Sequence, residues 1–301
     1  MKGLMMLAAV MLMLSGCSGQ TSGKTATASD HVQAAGQVKK EKPKRTDHSK
    51  NAKKEGEQEK QKASKEKPQQ KKKSSSAKKQ NLNKQQKPKY YMAENYYIKP
   101  IGHADPKVVL LTIDDAPDQH AVEMAKTLKK LHAKAIFFVM GDLIDTKQGK
   151  AKLKKIYDMG FPVGNHTYDH PYLSDLSEEK QRAEIVPVYK EIKQVTGEPV
   201  KFFRAPHGDN TDVSDQLAAQ RGVLVMNWSY GYDWHQQYQS PQKLTKVMLN
   251  PVDPPGLING SILLLHDRPW TAKALPNIVK GLRQKGFKIL DPALLKTPEP
   301  K

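Results

Sequence analysis

The chain of 301 residues has a single cysteine, Cys17, and one cysteine excludes an intramolecular disulfide. No internal sequence repeat is apparent. The N-terminal apolar run covers only residues 4–14, which is too short to span a bilayer as a mature helix. Large apolar residues are almost missing between residues 39 and 89, where Leu82 is the only one. That stretch buries too little to offset the entropy lost on ordering, so it cannot form a packed core.

The first seventeen residues have the pattern of a targeting segment. Lys2 precedes the apolar run, and the run ends in small residues followed by Cys17. This order resembles a bacterial lipoprotein signal, so residues 1–17 are predicted to be a lipoprotein signal peptide with a lipidated Cys17. Two acyl chains on Cys17 would anchor the protein stably at the extracellular face of the cytoplasmic membrane. The alternative is a plain signal peptide in which the cysteine is incidental.

Residues 18–89 are predicted to be a disordered, Lys-rich linker. Between residues 39 and 89 there are 20 Lys and Arg against 6 Asp and Glu, so most of the formal net charge of +19 lies there. A polybasic segment suits polyanions, but an exported protein meets little nucleic acid, and no nucleic-acid partner is expected. Anionic wall polymers or lipid headgroups are the predicted partners. A spacer that lysines merely keep soluble and extended is an equally good interpretation.

Residues 90–301 are long enough for one domain with a substantial core. Short apolar runs alternate with amphipathic segments, which indicates a parallel sheet with helices outside it. Strands are predicted at residues 108–113, 135–140, 161–164, 201–203, 223–227, 261–265 and 287–290. Helices are predicted at residues 120–131, 147–159, 177–195, 213–220, 241–249 and 272–285. A closed or distorted (β/α) barrel fits best, with functional residues at the C-terminal strand ends.

Five short polar motifs follow predicted strands in a fixed order. They are Thr112-Ile113-Asp114-Asp115-Ala116-Pro117, His166-Thr167-Tyr168-Asp169-His170, Arg204-Ala205-Pro206-His207-Gly208, Asp233-Trp234 and Leu263-Leu264-Leu265-His266-Asp267. Each motif is weak evidence by itself. Asp115, His166 and His170 supply one carboxylate and two imidazoles, a ligand set that suits zinc or a related divalent ion. The full set in this order describes one metal-dependent hydrolytic site.

The five motifs together resemble the polysaccharide deacetylase (NodB-homology, carbohydrate esterase family 4) family over about residues 100–292. The resemblance implies one divalent metal ion on Asp115, His166 and His170, with zinc expected and cobalt, manganese or nickel as alternatives. It also implies that Asp114 is the general base. Arg204 would hold that base ionised and oriented, because a neighbouring cation lowers the pKa of a carboxylate.

The remaining motifs imply an acid and a substrate pocket. His266 would be the general acid that protonates the leaving amine, and Asp233 would raise the pKa of its imidazole. Trp234 and Leu264 resemble the pair that lines the acetyl-methyl pocket. The backbone N–H of His207 would help to bind the oxyanion.

Three positions depart from the family pattern. Ala116 replaces a glycine, His207 replaces an aromatic residue, and Tyr230 replaces a carboxylate three positions before Asp233. The predicted function is hydrolysis of N-acetyl groups on a cell-wall polysaccharide, at GlcNAc or MurNAc of peptidoglycan. An O-acetyl esterase acting on wall glycans is one alternative. A catalytically impaired glycan-binding lipoprotein is another, which the three departures keep open.

Overall fold

The computed structural model of the chain describes residues 87–301. The predicted lipidation site at Cys17 and the predicted linker up to residue 86 lie outside the described residues. Within the described part of the chain, none of the helices has the length and apolar character needed to cross a membrane.

This part contains ten strands and six α-helices, and strands and helices mostly alternate from β3 onward. The strands are β1 (Tyr90–Met92), β2 (Ile98–Pro100), β3 (Val108–Ala116), β4 (Ile136–Val139), β5 (Val163–Asn165), β6 (Phe202–Phe203), β7 (Leu224–Val225), β8 (Tyr230–Gly231), β9 (Ile262–His266) and β10 (Lys288–Ile289). The helices are α1 (Ala121–Lys130), α2 (Lys147–Asp158), α3 (Glu178–Thr196), α4 (Asp212–Ala219), α5 (Pro241–Leu249) and α6 (Pro269–Gln284).

The main sheet is parallel and curls into a half-barrel. Its strand order is β7-β6-β5-β4-β3-β9-β8, and β10 pairs in parallel with the first residues of β3. Among the described strands, β7 and β8 end this path and do not pair with each other. β1 and β2 form a separate antiparallel pair. The predicted distorted (β/α) barrel is therefore confirmed, in an open rather than closed form.

Side chains of the central strand β3 pack into two separate hydrophobic cores. Val109, Leu111 and Ile113 lie in the outer core between the sheet and the helices. Val108 and Leu110 lie in the inner core, inside the curl of the sheet. Because successive strand residues face opposite sides, Thr112 and Asp114 continue the inward row. The inner core thus ends, toward the C-terminal edge of the sheet, in polar side chains.

All seven predicted strands and all six predicted helices are present, with bounds that differ by a few residues. The sequence analysis missed β1, β2 and β8. Each of them has only two or three residues. The equally short β6, β7 and β10 were recognised because each lies in an apolar run that follows a predicted helix.

Candidate active site and metal centre

The motif residues meet at the C-terminal edge of the half-barrel. Their positions are Asp114 and Asp115 near the end of β3, His166 directly after β5, Arg204 directly after β6, Asp233 two residues after β8, and His266 as the last residue of β9. In a parallel sheet these strand ends share one edge, so the strands bring together residues that are far apart in sequence.

A local turn lets two consecutive carboxylates reach this site. Asp114 points inward as the alternation requires. Asp115 has a φ of 57°, in the left-handed region, and the pairing of β3 with β4 shifts register between Ile113 and Ala116. Such a shift re-aims a side chain near a strand end. Non-glycine residues with positive φ are uncommon, and three others, Thr167, His170 and His207, also lie in the motifs.

Asp115, His166 and His170 form a group whose ligand atoms all lie within 4.8 Å of one another. Asp115 Oδ1 is 3.9 Å from His166 Nε2 and 3.6 Å from His170 Nε2. This oxygen is buried and has no hydrogen-bond partner among residues 87–301. A buried carboxylate oxygen without a partner is costly unless a cation completes it. The three residues therefore fit a divalent metal ion.

A hydrogen bond at Nδ1 of His166 leaves Nε2 free to bind a metal. His166 Nδ1 donates to the carbonyl of Arg204 at 2.8 Å, and since a carbonyl only accepts, Nδ1 carries the proton. Nε2 then faces Asp115 with its lone pair free. Burial, with His170 nearby, lowers the pKa of His166 from 6.5 to about 3. The imidazole is thus held neutral, which is the form that binds metal.

Hydrogen bonds to its backbone hold the loop that carries His166 and His170 in place. Asn165 Oδ1 accepts from the Thr167 backbone N–H at 2.9 Å. Glu184 of α3 accepts from the backbone N–H groups of Tyr168 at 3.0 Å and Asp169 at 2.9 Å. Neither Asn165 nor Glu184 was singled out from the sequence. Their roles depend on α3 packing beside β5, which no local spacing reveals.

The candidate base, Asp114, is buried against Arg204. Arg204 Nη1 donates to Asp114 Oδ1 at 2.8 Å. Burial nevertheless raises the pKa of Asp114, although Arg204 and His266 act in the opposite direction. Arg204 acts in the expected direction and lowers the pKa of Asp114, but desolvation of the carboxylate outweighs the cation.

Arg204 divides its donors among several acceptors. It is fully buried, and its guanidinium lies 4.4 Å from the ring centroid of Phe138 in the inner core. Besides Asp114, it donates to Thr112 Oγ1 at 2.8 Å and to the carbonyl of Asn227 at 2.9 Å. Arg204 therefore ties the carboxyl ends of several strands together as well as orienting the base.

The candidate acid, His266, is paired with Asp233. Asp233 Oδ1 accepts from His266 Nδ1 at 2.7 Å, and Asp233 Oδ2 accepts from the His266 backbone N–H at 2.7 Å. Burial alone lowers the pKa of His266, but the charge and hydrogen bond of Asp233, helped by Asp114 and Asp115, raise it to about 9. The expected effect of Asp233 is present, and His266 is protonated at neutral pH.

Residues at the start of α6 complete the acid side and also reach the metal group. Thr271 Oγ1 donates to Asp233 Oδ2 at 2.7 Å, and Trp270 Nε1 donates to the Asp233 carbonyl at 2.8 Å. Arg268 Nη2 donates to Asp115 Oδ2 at 2.8 Å. The sequence analysis missed Arg268 and Thr271, because at the start of a helix they look like ordinary residues.

The expected acetyl pocket pair comes together around Gly231. A Cβ at Gly231 would lie 2.8 Å from Leu264 Cβ and 2.8 Å from Trp234 Cζ3, so both side chains converge where this glycine leaves room. Leu264 is buried, whereas Trp234 is 44% exposed. The Trp234 ring meets the His266 ring edge-on at 5.5 Å. An apolar surface thus lies directly beside the candidate acid.

His207 lies on the opposite side, against the metal group. Its ring stacks on Tyr172 with centroids 3.8 Å apart and meets the ring of His170 edge-on at 4.7 Å. Tyr172 is 45% exposed. The site is therefore flanked by two exposed aromatic rings, Tyr172 near the metal group and Trp234 near the acid.

The other two departures from the family pattern lie outside the catalytic contacts. Ala116 is buried in β3 and does not have positive φ, so its backbone does not require glycine. Tyr230 lies in the outer core, and its hydroxyl donates to the carbonyl of Met248 at 2.8 Å. Tyr230 packs toward the helices, away from the inward-facing site.

Comparison with known proteins agrees with this geometry. Residues 102–226 match the family model of the polysaccharide deacetylases. The chain is 28% identical over 197 residues to a peptidoglycan-N-acetylglucosamine deacetylase of Bacillus cereus, covering 63% of this chain and 68% of that protein. It is 30% identical over 187 residues to the peptidoglycan-N-acetylglucosamine deacetylase PgdA of Listeria monocytogenes, covering 61% of this chain but only 38% of that protein.

A solved structure shows the same fold. A carbohydrate esterase family 4 pseudoenzyme from Bacillus anthracis, in a mutant form with restored enzymatic activity, superposes with a TM-score of 0.55 at 29% identity. The match covers 65% of this chain and 71% of that one. Sequence motifs, strand order and the convergence of the motif residues all agree with the match of residues 102–226 to the polysaccharide deacetylase family model and with the similarity of this chain to hydrolases of that type.

Proposed function

We propose that this chain is a metal-dependent deacetylase that removes N-acetyl groups from GlcNAc or MurNAc residues of peptidoglycan. The observation that carries the proposal is the buried Asp115 Oδ1, which has no hydrogen-bond partner within residues 87–301 and faces the imidazoles of His166 and His170, with a candidate base and a candidate acid beside it. The names of the Bacillus cereus and Listeria relatives support peptidoglycan as the substrate.

The metal group has a defined part in this proposal. Asp115, His166 and His170 would hold one divalent ion, and the mixed oxygen and nitrogen ligands favour zinc over cobalt, manganese or nickel. When bound, such an ion polarises the acetyl carbonyl and makes a neighbouring water more acidic.

The chain's own residues move the protons. Asp114 and His266 are direct partners in the pairing of β3 with β9, and both continue inward-facing rows. Asp114 accepts a proton as the water oxygen bonds to the acetyl carbon. His266 donates a proton to the amine nitrogen as the carbon–nitrogen bond breaks. The products are acetate and a free amino group on the sugar.

The exposed rings of Tyr172 and Trp234 suit the sugar itself. They lie on opposite sides of the catalytic groups, and aromatic faces are typical platforms for sugar rings. Leu264 and Trp234 would enclose the acetyl methyl group. The backbone N–H of His207 remains the proposed oxyanion donor.

Mass spectrometry of purified peptidoglycan, before and after incubation with zinc-loaded protein, tests this function. We expect loss of acetyl mass from glucosamine or muramic acid residues, and no loss with His166→Ala protein. Unchanged acetylation with acetate released from an ester substrate would favour the O-acetyl esterase. Glycan binding without either product would favour the impaired binding protein, which the resemblance to a pseudoenzyme supports.

The location of the protein is a separate proposal. We propose that Cys17 is lipidated and that the catalytic domain is anchored at the extracellular face of the cytoplasmic membrane, with the basic residues 39–89 near anionic wall polymers or headgroups. Cys17→Ser should release the protein from the membrane fraction. If the variant is released only by high salt, the basic segment suffices for retention, because salt screens charge but does not extract acyl chains.

A further inference from the structure

The carboxylate of Asp115 is used asymmetrically. Its Oδ1 faces His166 and His170 without a hydrogen-bond partner in the described chain, while Oδ2 accepts from Arg268 Nη2 at 2.8 Å. A charge-assisted hydrogen bond of this length fixes the rotation of the carboxylate plane. One oxygen is thereby directed to the place where the two imidazole nitrogens converge, and the other is withheld from it.

The backbone fixes the root of the Arg268 side chain. Arg268 precedes Pro269, and a residue before proline is confined to extended conformations, as its φ of −130° and ψ of 150° show. Its backbone N–H donates to the carbonyl of His266 at 2.8 Å. The guanidinium therefore starts from a defined position at the C-terminal end of β9, directly across from the end of β3.

Arg268 differs from the other arginine of the site in its burial. Arg204 is fully buried and supports several strand ends, whereas the side chain of Arg268 is 40% exposed at the mouth of the site. Within residues 87–301, its hydrogen bond to Asp115 Oδ2, the oxygen turned away from the two imidazoles, is its only hydrogen bond to the metal group. Replacing Arg268 should therefore change the site without unfolding the domain.

We propose that Arg268 is a positioning residue that holds Asp115 as a one-oxygen ligand for the metal ion. This inference rests on the metal site in the proposed function. Two opposing effects decide whether Arg268 raises or lowers the metal affinity of the site. A fixed cation near the metal repels it, whereas an oriented carboxylate binds it better. The proposal is that orientation outweighs repulsion, because the Asp115 charge lies between the two cations and one of its oxygens faces each of them.

Whether Arg268 raises the metal affinity is tested by titrating the metal-free full-length protein with Co²⁺, followed by calorimetry and by visible absorption. Loss of an outer-shell partner typically costs about 10- to 100-fold in metal affinity, and we expect that loss for Arg268→Met. Arg268→Lys keeps the charge but has a less directional donor, so its affinity should lie between those of the parent and Arg268→Met.

Arg283→Met is the matched control, since it removes the same charge from the far end of α6, where the only side-chain hydrogen bond of Arg283 within the described residues is to the carbonyl of His132. Its Co²⁺ affinity should equal that of the parent. Equal or tighter Co²⁺ binding by Arg268→Met, with an unchanged melting temperature, overturns the positioning role. Failure of the parent itself to bind Co²⁺ overturns the metal site, and this inference with it, and the two failures are thus distinguishable.

Discussion

The base side and the acid side of the site each hold one catalytic group against one oppositely charged partner, but the partners are used differently. On the base side, Arg204 shares its donors among Asp114, Thr112 and backbone carbonyls. On the acid side, Asp233 directs both carboxylate oxygens at His266. Burial prevails over the partner at Asp114, and the partner prevails over burial at His266.

This difference raises the pKa of both Asp114 and His266, as their proposed roles of base and acid require. A carboxylate with a raised pKa is a stronger base than an exposed one. An imidazole with a pKa near 9 keeps its proton at neutral pH. Arg204, which several acceptors share, and Asp233, whose two carboxylate oxygens both accept from His266, thus produce a base and an acid from buried groups that lie on adjacent strands.

Removing Arg204, the shared partner, should have the largest effect on the free energy of unfolding. Arg204→Met leaves Asp114 buried without its cation and leaves Thr112 without its donor. Breaking a buried pair costs about 3–5 kcal/mol in the free energy of unfolding, which urea denaturation measures. Arg182→Met is the control, because its pair with Glu178 is exposed and should contribute less than about 1 kcal/mol. Equal stability losses in the two variants would show that the buried pair is not structural.

Removing the catalytic groups one at a time should separate their roles. Asp114→Asn and His266→Ala are each expected to slow deacetylation by about 10²- to 10⁴-fold while metal content stays unchanged. An ester leaves as an alkoxide that needs less protonation than an amine. His266→Ala should therefore damage amide cleavage more than cleavage of an activated acetyl ester, and Asp114→Asn should damage both. Equal losses on both substrates would reject His266 as the leaving-group acid.

Removing the charge of Asp233 should lower the pH at which deacetylation is lost on the alkaline side. Deacetylation is expected to fall as pH rises through about 9, where His266 loses its proton. Asp233→Asn keeps the shape but not the charge, so this alkaline limit should move to lower pH. A bound metal cation would lower the limit in both proteins without changing the direction of the difference. An alkaline limit that does not move would show that another group sets it.

The same pair predicts a pH dependence of stability. A histidine with a raised pKa contributes stability that is fully present below its unfolded pKa of 6.5 and is lost as pH rises through about 9. The free energy of unfolding of the parent should therefore decrease over that window. The decrease should be smaller in Asp233→Asn.

The sequence predicted the site where its residues follow strands and missed it where they belong to other elements. Asp114, Asp115, His166, Arg204 and His266 follow or end apolar runs, and a parallel sheet collects such positions at one edge. Asp233 follows β8, which the sequence analysis missed, and was singled out through the family resemblance. Arg268 and Thr271 act from the start of α6 instead. Their contacts depend on how α6 leaves β9, which is a property of packing that no spacing in the sequence encodes.

The electrostatics of the site were predictable only in part. That Arg204 opposes protonation of Asp114 follows from charge alone. That the pKa of Asp114 still rises depends on the complete burial of this carboxylate in the curl of the sheet. Likewise, the left-handed turn at Asp115 is invisible in the pair of aspartates, although it decides which way the second carboxylate points.

The smallest predicted effect distinguishes charge from orientation on the acid side. Thr271→Val removes the hydroxyl that donates to Asp233 Oδ2 but keeps the shape of the side chain and the charge of the carboxylate. Asp233 Oδ2 still accepts from the His266 backbone, so the loss should be about 1 kcal/mol in the free energy of unfolding. Because the carboxylate charge remains, the alkaline limit should stay in place while kcat falls modestly. Thr245→Val removes a hydroxyl whose only hydrogen bond in the described part of the chain is to a carbonyl of its own helix, and it should leave kcat unchanged. A shift of the alkaline limit in Thr271→Val as large as that in Asp233→Asn would mean that orientation, rather than charge, sets the pKa of His266.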